Sequence, residues 1–277
     1  MQKTFQYTDG PVSYLDTGEG QAVVLLHGFG EDADVWNEQV AFLKNHCRLI
    51  VPHLPGSGLS GFTNENTKGN DTIEYYADAV RVLLEHESID SCIMPGHSMG
   101  GYITLAFAEK YPHLLRGFGL IHSTAFADSE EKKQNRRRGI EMMEEYGGYA
   151  FLKNTTPNLF ASKFKTAHPE KVEALIEKGK SFNVKALQQY YRAMMNRPDR
   201  THVLKESKVP VLFVIGTEDV AAPMQDVLKQ THLPKISFVH ILEDTGHIGM
   251  WEDTKKMNDA LLEFIIYANN NPGTLPA

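Results

Sequence analysis

Gly96-His97-Ser98-Met99-Gly100 lies between a short apolar run, Ser91 to Met94, and a helical pattern from Met99 to Lys110 that Pro112 stops. A G-x-S-x-G string alone arises often by chance, and its context is what makes it informative here. Small residues around the serine permit a sharp strand-to-helix turn, which lifts the Ser98 hydroxyl clear of a sheet and points the Met99 N–H toward developing negative charge. A serine hydroxyl is a weak nucleophile, so a base must take its proton and a carboxylate must orient that base. The stretch therefore predicts Ser98 as a nucleophile on a turn, with an acid and a histidine further along the chain.

Outward from this turn the pattern is regular. Lys3 to Thr8 and Pro11 to Thr17 flank Asp9-Gly10, a dipeptide suited to a tight antiparallel hairpin. Ala22 to Leu26 and Arg48 to Val51 read as strands, with Trp36, Val40 and Leu43 marking a helix face between them. Asp71 with Glu74 resembles a capping box ahead of a helical stripe from Ile73 to Leu84. Phe118 to Ile121, Val209 to Ile215 and Ser237 to Leu242 are further strand-like runs. Strands that alternate with helices imply an α/β chain whose mostly parallel sheet is covered on both faces.

From about Ala125 to Arg200 the rhythm breaks into helical patterns without a convincing strand, so residues 125–200 read as a helical cap inserted into a core of residues 1–124 and 201–277. The insertion holds 15 Lys plus Arg against 10 Asp plus Glu, a basic segment in an acidic chain. Its run Lys132 to Arg138 reads as a solvated helix face, and its aromatic and thioether side chains as packing with some pocket lining. The tail from Asn269 reads as a frayed end.

The acid and base fall where open α/β sheets collect functional groups, beyond the carboxyl ends of strands. Asp219 follows Val211 to Ile215, and His247 follows Ser237 to Leu242. Glu218 and Asp244 are the rivals for the acid: Glu218 is adjacent, although alternation turns its side chain away, and Asp244 reads as a turn residue near His247. Histidines 27, 53, 97 and 122 read as structural. Gly56 to Gly61 spells G-x-G-x-x-G, but no helix opens within it to meet a pyrophosphate, so no nucleotide site is expected. No His, Cys and carboxylate spacing suggests a metal, and no cofactor is expected.

Composition narrows the class. The chain of 277 residues carries 28 Lys plus Arg against 35 Asp plus Glu, and its net charge of -7 argues against nucleic acid or an anionic membrane as partner. The start MQKTFQYTDG lacks the pattern of a secretory leader, and no apolar run reaches the length of a membrane span. With only two cysteines, Cys47 and Cys92, a disulfide framework is not expected and a cytoplasmic location is.

With Ser98, Asp219 and His247 in that order, the chain resembles the α/β-hydrolase family from about Val23 to Ile266, the insertion matching in position only. The resemblance implies a doubly wound sheet with an inserted helical cap. His27-Gly28-Phe29-Gly30 looks like the family's oxyanion turn, which pairs the Phe29 N–H with that of Met99. Two departures stand out: His53 occupies a position where Asp is usual, and Pro95 precedes the turn where another apolar strand residue is typical, tolerable if the ladder ends there.

The expected activity is that of a serine carboxylesterase acting on small-molecule esters of small to medium acyl groups, as a monomer or homodimer. Two alternatives stay open. Gly246 to Glu252 resembles the sequence around the base of meta-cleavage carbon–carbon hydrolases, in which case Arg192 or Arg197 pairs a substrate carboxylate. A ligand receptor on the same fold keeps the triad without turnover.

Overall fold

Parallel strands linked by helices need apolar side chains on both faces of the sheet, and the chain supplies them. The computed structural model describes residues 1–8, 10–62 and 71–271. It opens with a hairpin of β1 (Gln2–Tyr7) and β2 (Gly10–Thr17), paired from Gln2↔Leu15 to Tyr7↔Gly10. Gly10 takes φ +133°, and the expected turn residue Asp9 lies outside the described residues. There follow β3 (Ala22–Val24), α1 (Asn37–Leu43), β4 (Arg48–Pro52), α2 (Ile73–His86), β5 (Cys92–His97), α3 (Met99–Lys110) and β6 (Leu115–Ile121). A helical stretch comes next: α4 (Glu130–Tyr146), α5 (Gly148–Thr155), α6 (Ser162–Ala167), α7 (Pro169–Lys178), α8 (Val184–Asn196) and α9 (Thr201–Glu206). The chain closes with β7 (Val211–Gly216), α10 (Met224–Leu228), β8 (Ser237–Leu242), α11 (Gly249–Glu252) and α12 (Thr254–Asn270).

The strands form one eight-stranded sheet in the order β1-β2-β4-β3-β5-β6-β7-β8, parallel from β4 to β8 with an antiparallel edge. Successive residues of the central strands point to opposite faces. Val24, Ile50, Met94 and Phe213 join a core with α2 and α3, while Val23, Leu49, Ile93 and Leu212 join a second core with Trp36, α1 and α12. No helix among the described residues is long and apolar enough to cross a membrane.

The helical stretch between β6 and β7 is tied at its base. Arg200 N donates to Ala125 O at 2.8 Å, and the Arg197 guanidinium pairs with Asp128 at 2.9 Å. Its helix α8 docks on the body through Tyr190, whose hydroxyl donates to Pro55 O at 2.7 Å.

Several boundaries differ from the sequence reading. β3 stops at Val24, with Leu26 making only an isolated bridge to Gly96. The cap of α2 is Thr72, whose hydroxyl accepts from Tyr75 N, so the box read at Asp71 is displaced by one residue. β5 continues through Pro95 to His97, because Pro95 O accepts from Leu26 N and the residues beyond still pair with β6; the proline does not end the ladder. β6 starts earlier, at Leu115, and β7 later, at Val211. The expected fray at Asn269 is helical to Asn270, because the apolar face of α12 packs into the core; residues 272–277 lie outside the described residues. The expected loop after Phe62 falls largely on residues 63–70, also outside them.

Candidate active site

Ser98 sits at the junction of β5 and α3 with φ +51° and ψ -115°, a conformation that side-chain-bearing residues rarely adopt and that costs on the order of 1–3 kcal/mol. Neighbouring bonds hold it there: Ser98 N donates to Ile121 O at 2.9 Å, and Ser98 O accepts from Gly101 N at 2.9 Å and from Ser123 Oγ at 2.8 Å. The turn is tight enough that a Cβ on Gly96 would lie 2.2 Å from Gly100 O. Ser98 is also the one partly exposed residue in an otherwise buried run from Cys92 to Ala108, so the strain delivers its hydroxyl to an open face. Among the described residues that hydroxyl has no hydrogen-bond partner.

The His27–Gly30 turn packs against this serine. A Cβ on Gly28 would stand 3.1 Å from Ser98 Cβ, and the N–H groups of Phe29 and Met99 have no acceptor among the described residues. His27 braces the turn. Its Nδ1 donates to Gly28 O at 2.8 Å and its Nε2 accepts from Leu54 N at 3.0 Å, and burial pushes its pKa down to about 4. The Phe29 ring lies 4.5 Å from that of Tyr191 on α8 and 6.3 Å from Phe151 on α5, which packs this turn against the helical stretch between β6 and β7.

Parallel neighbours β6, β7 and β8 bring three more side chains together at their carboxyl ends. The Asp219 carboxylate is saturated with donors. Its Oδ1 accepts from Ala221 N and Ala222 N, both at 2.9 Å, its Oδ2 accepts from His122 Nδ1 at 3.1 Å, and His247 Nδ1 faces both oxygens, Oδ2 at 2.9 Å and Oδ1 at 3.0 Å. Burial alone would raise this carboxyl, but the two imidazoles outweigh it and hold the pKa far below the usual carboxylate range. Burial likewise works to lower His247, yet the charge and hydrogen bond of Asp219, with Glu31 and Glu252 behind, leave it above the ordinary histidine value. The rivals for the acid lie elsewhere: Glu218 accepts from Ser162 N at 3.2 Å, and Asp244 pairs with Lys163 at 3.0 Å on the exposed surface.

Two histidines read as structural take a larger part. His122, at φ +49°, turns its Nδ1–H onto Asp219 and leaves Nε2 buried without a partner among the described residues; burial pushes its pKa down to about 4, so the neutral ring serves Asp219 as a donor. His97 faces acceptors at both nitrogens, Glu31 Oε2 at 2.9 Å and His247 O at 2.8 Å. Glu31, which sequence reasoning missed, also accepts from Gly28 N at 2.8 Å. A chain of bonds thus runs from Gly28 to the backbone of His247. The G-x-S-x-G motif marks His97 only as a neighbour of Ser98, and nothing local marks Glu31 as its partner.

The donor atoms of His122, Asp219 and His247 lie within 4.8 Å of one another, a cluster with the ligand types for a cation that sequence spacing did not reveal. Both imidazole Nδ1 atoms are already spent on the carboxylate, which is the arrangement that fixes a histidine tautomer for proton transfer. Arg197, considered as a carboxylate clamp, is committed instead. Its guanidinium donates to Met194 O and Phe126 O, pairs with Asp128 and lies 3.8 Å over the Tyr102 ring. Arg136, within the run read as solvated, is likewise turned inward onto Asp128 and over Tyr191.

Residues 21–254 match the model of the α/β-hydrolase fold. A thermophilic esterase from Thermogutta terrifontis, solved with malate bound, superposes with a TM-score of 0.89 at 29% identity, covering 97% of this chain and 99% of that one. A 2-hydroxy-6-oxononadienedioate/2-hydroxy-6-oxononatrienedioate hydrolase of Burkholderia vietnamiensis is 28% identical over 93% of this chain and 92% of its own. Lipase 1 of Psychrobacter immobilis is also 28% identical, over 86% of this chain and 75% of its own.

Proposed function

Since the chain belongs to the α/β-hydrolase fold family, we propose that it is a serine carboxylesterase that cleaves esters of small to medium acyl groups through an acyl-Ser98 intermediate. The observation that carries the reading is the saturated Asp219 carboxylate, which leaves His247 a single orientation with its Nδ1–H spent and Nε2 available as base. His247 takes the Ser98 proton as the hydroxyl attacks the ester carbonyl, then returns it to the leaving alcohol. It next takes a proton from water, whose oxygen attacks the acyl carbon and frees Ser98. Asp219 stabilises the imidazolium formed in each half. The N–H groups of Phe29 and Met99 receive the oxyanion, each contributing on the order of 3 kcal/mol.

A carbon–carbon hydrolase is the second reading, favoured by the Burkholderia vietnamiensis relative. It needs a cation for its substrate's carboxylate; Arg197 is engaged with Asp128 and two carbonyls, which leaves Arg192 of the two candidates. The test is steady-state hydrolysis of p-nitrophenyl esters from acetate to decanoate by wild type and Ser98→Ala. Turnover that peaks at one chain length and vanishes in the variant is expected. Activity that survives Ser98→Ala refutes the mechanism, and a burst without turnover refutes the esterase assignment.

A further inference from the structure

His247 hangs on a loop whose backbone is held from outside the sheet. Its own N–H donates to Leu159 O at 2.6 Å, an acceptor in the helical insertion. The N–H groups on either side of it, Gly246 at 3.0 Å and Ile248 at 3.0 Å, both donate to the carboxylate of Glu252 on α11. The Glu252 oxygen that accepts from Gly246 also accepts from Ala161 N of the insertion at 2.8 Å. One carboxylate therefore gathers both peptide neighbours of the histidine and one peptide of the insertion. The fit is close: a Cβ on Gly246 would stand 2.6 Å from Ala161 N and Leu159 O.

Three N–H donors and, among the described residues, no acceptor face Glu252, an arrangement that suits a carboxylate and opposes the burial that raises its pKa. A glutamine does not match it. Whichever way its amide turns, its NH2 points at one or more of these N–H groups. We propose that Glu252 is a positioning residue that clasps the His247 loop to the segment Leu159–Ala161, making the reactive placement of the base depend on a docked insertion. The inference rests on the reading of His247 as the base. Its chemical consequence is that the segment Leu159–Ala161 and the base move as one body. A base displaced by a fraction of an ångström loses rate without loss of substrate binding.

The experiment compares kcat and KM for a p-nitrophenyl ester in wild type, Glu252→Gln, Glu252→Ala and Ala161→Pro. Ala161 has φ -60° and ψ 148°, and Phe160 before it has φ -101° and ψ 144°, so both backbones suit a proline that deletes the Ala161 N–H. Glu252→Ala is expected to lower kcat roughly 10- to 100-fold with KM within about threefold of wild type, and Glu252→Gln to fall between the two. Ala161→Pro is expected to lower kcat comparably, and the Ala161→Pro/Glu252→Gln double variant to lose less than the product of the single losses, as partners in one clasp do. Wild-type kcat in Glu252→Gln, a KM that rises in step with the loss, or full additivity in the double variant overturns the inference while Ser98→Ala remains inactive. Turnover surviving in Ser98→Ala instead overturns the hydrolase reading on which it rests.

Discussion

Replacing Asp219 by Asn changes one atom and should stop the reaction. Oδ1 of Asp219 accepts from Ala221 N and Ala222 N, so the amide oxygen of the asparagine is held on that side, where turning it away would strand two N–H groups at about 1–3 kcal/mol each. The amide NH2 then occupies the Oδ2 position, 2.9 Å from His247 Nδ1 and 3.1 Å from His122 Nδ1. Two donors cannot share a hydrogen bond, and the remaining oxygen, 3.0 Å from His247 Nδ1, is already taken by two peptide N–H groups; the tautomer with its proton on Nε2 is therefore favoured and presents Ser98 with a donor instead of a base. A comparable change of tautomer in a serine protease lowers kcat about 10,000-fold, or about 5.4 kcal/mol at 1.36 kcal/mol per decade. The assay is kcat/KM for a p-nitrophenyl ester at neutral pH, with thermal unfolding recorded alongside to show that the variant is folded. A folded Asp219→Asn protein that retains more than a tenth of wild-type activity would refute the reasoning, because a correctly oriented histidine would then not depend on this carboxylate.

Two further outcomes follow from the same geometry. The raised pKa of His247 keeps the base protonated to a higher pH than an ordinary histidine, so kcat/KM should rise with pH through a midpoint above about 6.5; a midpoint at or below 6 in a pH–rate profile contradicts the pairing with Asp219. Arg197→Lys should lose the face-on contact with Tyr102 and the fork to Met194 O and Phe126 O, lowering unfolding stability by about 1–3 kcal/mol in urea titrations. The KM for esters bearing a carboxylate should stay unchanged in that variant, and a large rise would instead make Arg197 a substrate clamp.

Much of the framework is legible because its causes are local. Residues alternating with period two, such as Val23 and Val24 or Leu212 and Phe213, serve opposite faces of the sheet, and that pattern survives in the one-dimensional string. Small residues about Ser98 signal a tight turn wherever they occur between a strand and a helix, and the carboxyl ends of two later apolar runs point to Asp219 and His247. Local reasoning faltered at boundaries that tertiary packing decides. Pro95 stays in β5 because its carbonyl accepts from Leu26 N on one side and it pairs with Gly119 of β6 on the other, and the cap of α2 moves from Asp71 to Thr72, where the chain turns into the helix.

The sheet-and-helix alternation, the turn that carries Ser98, and the residues that stand beyond β7 and β8 follow from local pattern and are readable in the chain. Which side chains meet there is set by the folded arrangement. His122 reaches Asp219 across 97 residues, Glu31 reaches His97 across 66, and Ala161 reaches Glu252 across 91. These meetings are set by the register of parallel neighbours and by how the helical insertion docks over the sheet. A hydrogen bond requires its partners within about 3 Å, and no local spacing in the chain encodes a distance that the rest of the fold must first bring about.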